Sequence, residues 1–403
     1  MLSILLKLGF GLLLFKAIVI HGDDDDDNDD SGVPKDPEPG TDEYNFIQMD
    51  DLIRCHHEQN LTIGDLFLPV EDRLIHRNKY GAIFKGIHIN HKFEVAMKLV
   101  RKEFSCIARN EYEMYTYLKA TCNETDVEKF GIAKIYYYDE NFCGYFLLIH
   151  SYFGGGNIFD NQKYFDHKNG PYSINILILL RDFVRLSKYM YSCRVKHNNI
   201  TPEHIVARKG QCFLINFNRG SKTNFSNPPG SLRYASRRTH NKQLTTPMCD
   251  WESFLYSLFA ISHVELGWFS NRLYQNLNAE EVDKVYKEMK NEINITSITK
   301  IIKNSFQPRL HKVLIEFSKE IFEGEKPIPD YDRLYESITK VIDGRGTYTW
   351  NAGISEILSF ISLRPAFNIK KDIVLLPEGP GYVHKYPEVN YNQFTLATTN
   401  TIT

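Results

Sequence analysis

Apolar residues recur along the chain in two rhythms, and the change between them falls near residue 150. Before it, "GAIFKGIHI" (81–89) and "KFEVAMKLV" (92–100) are rich in β-branched and aromatic residues and flank a short polar turn, which predicts two paired strands. "ARNEYEMYTYLKA" (108–120) shifts to helical spacing, with Met114, Tyr117 and Leu118 on one side. "IAKIYYYDE" and "GYFLLIHSY" predict a hairpin that turns at residues 141–144. Beyond residue 150, "INILILLRDFVRLSKYMYS" puts Ile176, Leu179, Leu180, Phe183 and Leu186 on one helix face, with Ser173 placed to cap it. "HIVAR" and "CFLINF" predict two short strands joined through Lys209 and Gly210. "DWESFLYSLFAISHV", residues 279–293 and 308–322, and "DYDRLYESITKVI" predict further helices. The class is α+β and bilobal: a small antiparallel sheet with one main helix, then a larger helical lobe with an embedded hairpin.

The ends of the chain differ from this body. "LLKLGFGLLLFKAIVIHG" is apolar but is interrupted by Lys7 and Lys16, and no uninterrupted run reaches the roughly 18–20 residues of a membrane span. A cleaved signal peptide over 1–22 is expected, with a signal anchor as the alternative, so the mature chain carries no span and lies in the secretory pathway or outside the cell. Residues 23–43 hold 11 acidic side chains against one lysine, so 23–66 reads as an acidic linker and N-terminal extension. The two-lobed body then covers 67–345, divided into 67–150 and 151–345. Residues 346–403 are rich in turn formers and predict an extended or disordered tail.

Charge and cysteine content narrow the class. The chain of 403 residues has a net charge of −2, but residues 44–403 carry 45 basic and 39 acidic groups. That mild excess is too small to indicate nucleic acid. Secretion places Cys55, Cys106, Cys122, Cys143, Cys193, Cys212 and Cys249 in an oxidising compartment, where an odd number leaves at least one unpaired or intermolecular. No CxxC pair is present to suggest zinc. Glycosylation triplets occur at Asn60, Asn123, Asn224 and Asn294. A fifth, at Asn199, is followed by Pro202 and is expected to stay unmodified.

Five motifs in order resemble the casein kinase I group of protein kinases. They are "VAMK" with Lys98, "NEYEMYTYL" with Glu111, "LINFN" (214–218), "GSLRYASRRTH" (230–240) with "CDWESFLYSL", and "EKPIPDYDRLYESI" with Pro329, Asp330 and Tyr331. The resemblance implies a strand lysine paired to a helix glutamate. It also implies an Asp-Phe-Gly-type segment at 216–218, an activation-type segment at 230–240, and Asp250 as support of the catalytic-type loop "HNNITPEH" (197–204).

The chemistry of that group is not matched. Kinases need a glycine loop around phosphate, a lysine, oxygen ligands for magnesium, and a base for the substrate hydroxyl. In "HRNKYG" (76–81) only Gly81 remains of the glycines. Asn199 stands at the base position, and an amide takes no proton near neutral pH. Thr201 replaces the loop lysine, His204 the metal-binding Asn, and Asn216 and Asn218 the Asp and Gly of Asp-Phe-Gly. Magnesium favours hard, usually anionic oxygens. The expectation is therefore a pseudokinase without cofactor or metal that binds a protein partner or an acidic or phosphorylated ligand. Lys98 and Glu111 are then either residual nucleotide contacts or an ion pair tying helix to sheet. An unconventional secretory-pathway kinase using ATP and magnesium through rearranged motifs is the competing reading. Arg219, Lys222, Arg233, Arg237 and Arg238 form a candidate anion-binding cluster, against a plain solvated surface. "FGGGN" (153–157) follows the hinge-type strand and reads as a linker turn.

Overall fold

Period-two alternation fixes what the front sheet presents on each face. The computed structural model describes residues 67–78, 80–121, 127–154, 157–159, 173–208, 211–222, 230–270, 277–323 and 328–343. All fall within the second of two compact units, Asp36–Thr403. Strands β1 (Phe67–Asn78), β2 (Gly81–His88), β3 (Glu94–Arg101), β4 (Ile135–Phe142) and β5 (Tyr145–Ser151) form one antiparallel sheet in the order β1-β2-β3-β5-β4. Val95, Met97 and Leu99 of β3 join Phe84, Leu147 and Ile149 in a core on one face. Val100, Phe146 and Leu148 pack with Ala108 and Tyr112 of helix α1 (Ser105–Thr121) on the other. Lys98 alternates onto this second face. Helix α1 buries Ala108, Glu111, Tyr115 and Leu118 at helical spacing, so one charged residue lies within its apolar stripe.

The second lobe is built on α2 (Ser173–Ser192) and α4 (Pro247–Ile261). Phe183 of α2 stacks on Phe254 of α4 with centroids 3.7 Å apart. Trp251 stacks on Phe317 at 4.5 Å. Fully burying aromatic side chains of this kind contributes about 1.5–3 kcal/mol each. Between α2 and α4 lie the hairpin β6 (Ile205–Arg208) and β7 (Gln211–Leu214) and the short helix α3 (Arg237–His240). Helices α5 (Ala279–Asn291), α6 (Ile295–Ser305), α7 (Pro308–Phe322) and α8 (Tyr331–Asp343) complete the lobe.

The element order agrees with the sequence pattern, with three differences. "HRNKYG" is not an open loop: residues 76–78 pair in β1 and Gly81 pairs in β2. Helices α3 and α6 were not legible as separate elements. The signal-peptide, linker and tail expectations lie outside the described residues, as do Asn60, Asn123, Asn224, Cys55 and Cys122. Among the described residues no helix is long and apolar enough to cross a membrane.

Candidate functional site

The cleft between the lobes is organised by a chain of hydrogen bonds that starts at Lys98. Its Nζ donates to Glu111 Oε2 at 2.6 Å and to Asn216 Oδ1 at 3.2 Å. Asn216 Nδ2 lies 2.7 Å from His204 Nε2, and His204 Nδ1 lies 2.8 Å from the Asn199 carbonyl oxygen. A carbonyl oxygen only accepts, so Nδ1 carries the proton and Nε2 accepts from Asn216. Every link is then satisfied with a neutral imidazole. Asn216 is left-handed at φ 65°, a conformation that asparagine tolerates better than most residues.

This closure bears directly on a metal. The polar atoms of His204 and Asn216 are spent on each other, on Lys98 and on the Asn199 carbonyl. Glu111, the carboxylate in contact with this network, is already paired with the lysine. Among the described residues no group of three or more His, Cys, Asp or Glu side chains converges on a metal position. The donor set does not fit magnesium.

The loop beneath the cleft is held from below. Asp250, 2% exposed at the start of α4, accepts from the His197 amide through Oδ2 and from the Asn198 amide through Oδ1, both at 2.8 Å. Burial pushes its carboxyl up to about 6 against the pull of those two amides and of Lys196. His197 Nε2 donates to the Ile215 carbonyl at 2.9 Å, and its ring meets Phe217 edge-on. Asn199 buries its Oδ1 without a hydrogen-bond partner. Gly230 packs against that side chain, and a Cβ there would lie 2.1 Å from the same oxygen. Gly81 also has a local reason to be glycine, since a Cβ would meet the Leu99 carbonyl oxygen at 2.0 Å. Close strand packing thus accounts for Gly81 without phosphate.

Both histidines titrate far below their ordinary range. Burial is the main cause for each, and it lowers His197 to about 3 and His204 to about 4. The unfolded imidazoles bind protons below about 6.5 while the folded ones do not, so their contribution to stability is lost as pH falls through that window. Asp250 has the opposite sign, because its folded form takes a proton before the unfolded one does. Replacing His204→Asn removes one of the two destabilising protons. Urea denaturation at pH 7, 6, 5 and 4.5 is expected to show a shallower loss of stability in the variant, by up to about 1.4 kcal/mol per pH unit. An unchanged slope would mean that His204 is protonated in the folded chain.

The basic cluster divides. Arg237 pairs with Glu252 at 2.9 Å, donates to the Ile293 carbonyl at 3.2 Å, and lies over the Phe322 ring. Its guanidinium is committed to the second lobe's interior and is withdrawn from the candidate anion site. Lys222 is exposed and lies 4.1 Å from the Tyr117 ring centroid of α1. Arg238 is exposed, Arg219 and Arg233 are half-buried, and the Arg233 carbonyl accepts from Trp268 Nε1 at 3.1 Å. Sequence reasoning missed Lys290 of α5, which is fully buried and donates to the Leu232 and Ala235 carbonyls at 2.7 and 2.8 Å. The only sequence signal was one lysine in register with Tyr286 on an apolar helix face.

A solved kinase domain from Plasmodium resembles the chain in structure, with 16% sequence identity, a TM-score of 0.48, and coverage of 67% of this chain and 94% of that domain. No protein-family model and no curated protein matches the chain. The fold is bilobal and α+β: an antiparallel front sheet, one helix bearing the lysine's glutamate, and a helical lobe carrying the loop and hairpin.

Proposed function

We propose that the chain is a secreted, casein-kinase-I-like pseudokinase that acts as a binding or regulatory module and does not transfer phosphate. One observation carries this reading: His204 and Asn216 close on each other at 2.7 Å and on Lys98, which leaves no anionic oxygen set for magnesium. The Lys98–Glu111 pair then ties α1 to the sheet rather than serving a nucleotide. The partner is a protein or an acidic or phosphorylated ligand, met by the cations that remain at the surface, Lys222 and Arg238, with Arg219 and Arg233 beside them. Two features support the secretory pathway. Cys193 is disulfide-bonded, and Asn294 is exposed, using its Oδ1 to cap α6 and leaving its Nδ2 outside that cap.

The test is thermal unfolding with ATP, with and without magnesium, beside a phosphorylation assay on casein. The expected result is no magnesium-dependent rise in Tm and no transfer. The retained Lys98–Glu111 pair favours the competing reading, an unconventional secretory-pathway kinase. Magnesium-dependent stabilisation together with phosphorylation abolished by Lys98→Ala would establish that reading instead.

A further inference from the structure

The β2–β3 hairpin carries two imidazoles that the cleft does not use. His88 ends β2 and His91 stands in the turn, with ring centroids 4.7 Å apart and planes inclined by 61°. His88 Nδ1 is buried without a hydrogen-bond partner. A buried, unpaired ring nitrogen costs about 1–3 kcal/mol, so its retention calls for a ligand or a water.

The turn holds the pair in place. His88 N donates to the Phe93 carbonyl and Lys92 N to the His88 carbonyl, both at 2.8 Å, with Lys92 left-handed at φ 55°. Phe67 and Phe93 pack against the His88 ring at 4.9 and 4.8 Å. His88 is 8% exposed, whereas His91 is open to solvent.

We propose that His88 and His91 form a two-histidine site for a borderline divalent transition metal, zinc or copper(II), with water completing the coordination. Two imidazoles sharing one tetrahedral zinc at about 2.0–2.1 Å from nitrogen place their ring centroids about 5 Å apart, close to the spacing found here. Imidazole selects these ions over magnesium and calcium. The site lies on the β2–β3 hairpin, outside the cleft's hydrogen-bond network, and does not depend on the pseudokinase reading.

The experiment is calorimetric titration of tag-free full-length protein with zinc chloride and copper chloride, with magnesium chloride as control. One saturable zinc equivalent is expected. Affinity falls by roughly tenfold or more in His91→Ala and in His88→Phe, which keeps the aromatic packing. The exposed His263→Ala is expected to bind as the parent does. Copper(II) should broaden the imidazole proton signals of His88 and His91 before those of other histidines. Absence of saturable zinc or copper binding, or binding unchanged in His91→Ala, overturns the site. His91 is exposed, so its variant keeps the fold and the result is decisive.

Discussion

Replacing Asp250→Ala is expected to lower stability by about 2–4 kcal/mol and the Tm by roughly 5–15 °C. Its carboxylate is the acceptor for two consecutive backbone amides, of His197 and Asn198, at the base of the catalytic-type loop. Each amide loses its partner when the carboxylate goes, at about 1–3 kcal/mol apiece. Relief of a buried charge offsets part of this, since burial already pushes the carboxyl up to about 6. The substitution Asp250→Asn would not restore the clamp: one amide oxygen serves one N–H, and the new NH2 then opposes the other. The pH dependence distinguishes this account from a generic core defect. Between about 6 and 3.8 the folded parent holds a proton that its unfolded form lacks, so the Asp250 contribution grows as pH falls. The deficit of Asp250→Ala should widen from pH 7 to pH 4.5 in urea titrations. A deficit that narrows, or a Tm within a degree or two of the parent, would show that the loop is held by other contacts.

The loop clamp and the Lys98–Glu111 pair were legible only through what the motif resemblance implies. The strands and most helices were legible directly, because their apolar periodicity matches the face they bury. What escaped were contacts set by side-chain orientation across long separations. Nothing in the spelling of Asn216 and His204 says that one donates to the other, since that depends on the left-handed backbone at 216 and on which imidazole nitrogen bears the proton. Arg237 looked like part of a surface run because Arg238 adjoins it. The short helix α3 turns it inward onto Glu252 while Arg238 stays out.

These contacts share one consequence for the cleft. Charged groups in and around the cleft are satisfied by the protein itself. Lys98 has two oxygen partners from side chains, Arg237 has Glu252, and Lys196 donates to the Thr245 carbonyl and hydroxyl at 3.1 and 3.0 Å. Internally paired charges fix geometry without demanding a ligand.

Lys290 is the extreme case, and Lys290→Ala is expected to cost about 3–5 kcal/mol. Its ammonium is 0% exposed and sits among the rings of Tyr256, Trp268 and Tyr286 at 5.1–5.5 Å. It donates to the Leu232 and Ala235 carbonyls, and His240 Nε2 lies 3.0 Å away while His240 Nδ1 donates to Asp283. With Trp268 on the Arg233 carbonyl, three carbonyls of the activation-type segment are gripped from α5 and the turn before it. Alanine empties the space of a long side chain and orphans two carbonyls. Methionine keeps the volume and removes a buried charge, whose desolvation is itself unfavourable, so Lys290→Met is expected to cost less than about 2 kcal/mol. The two variants should nevertheless agree locally. Amide exchange over residues 230–240 is expected to accelerate in both, because either one releases the gripped backbone, while α4 stays protected in Lys290→Met. Parent-like exchange over 230–240 in Lys290→Met would show that aromatic packing, not the ammonium, holds this segment in place.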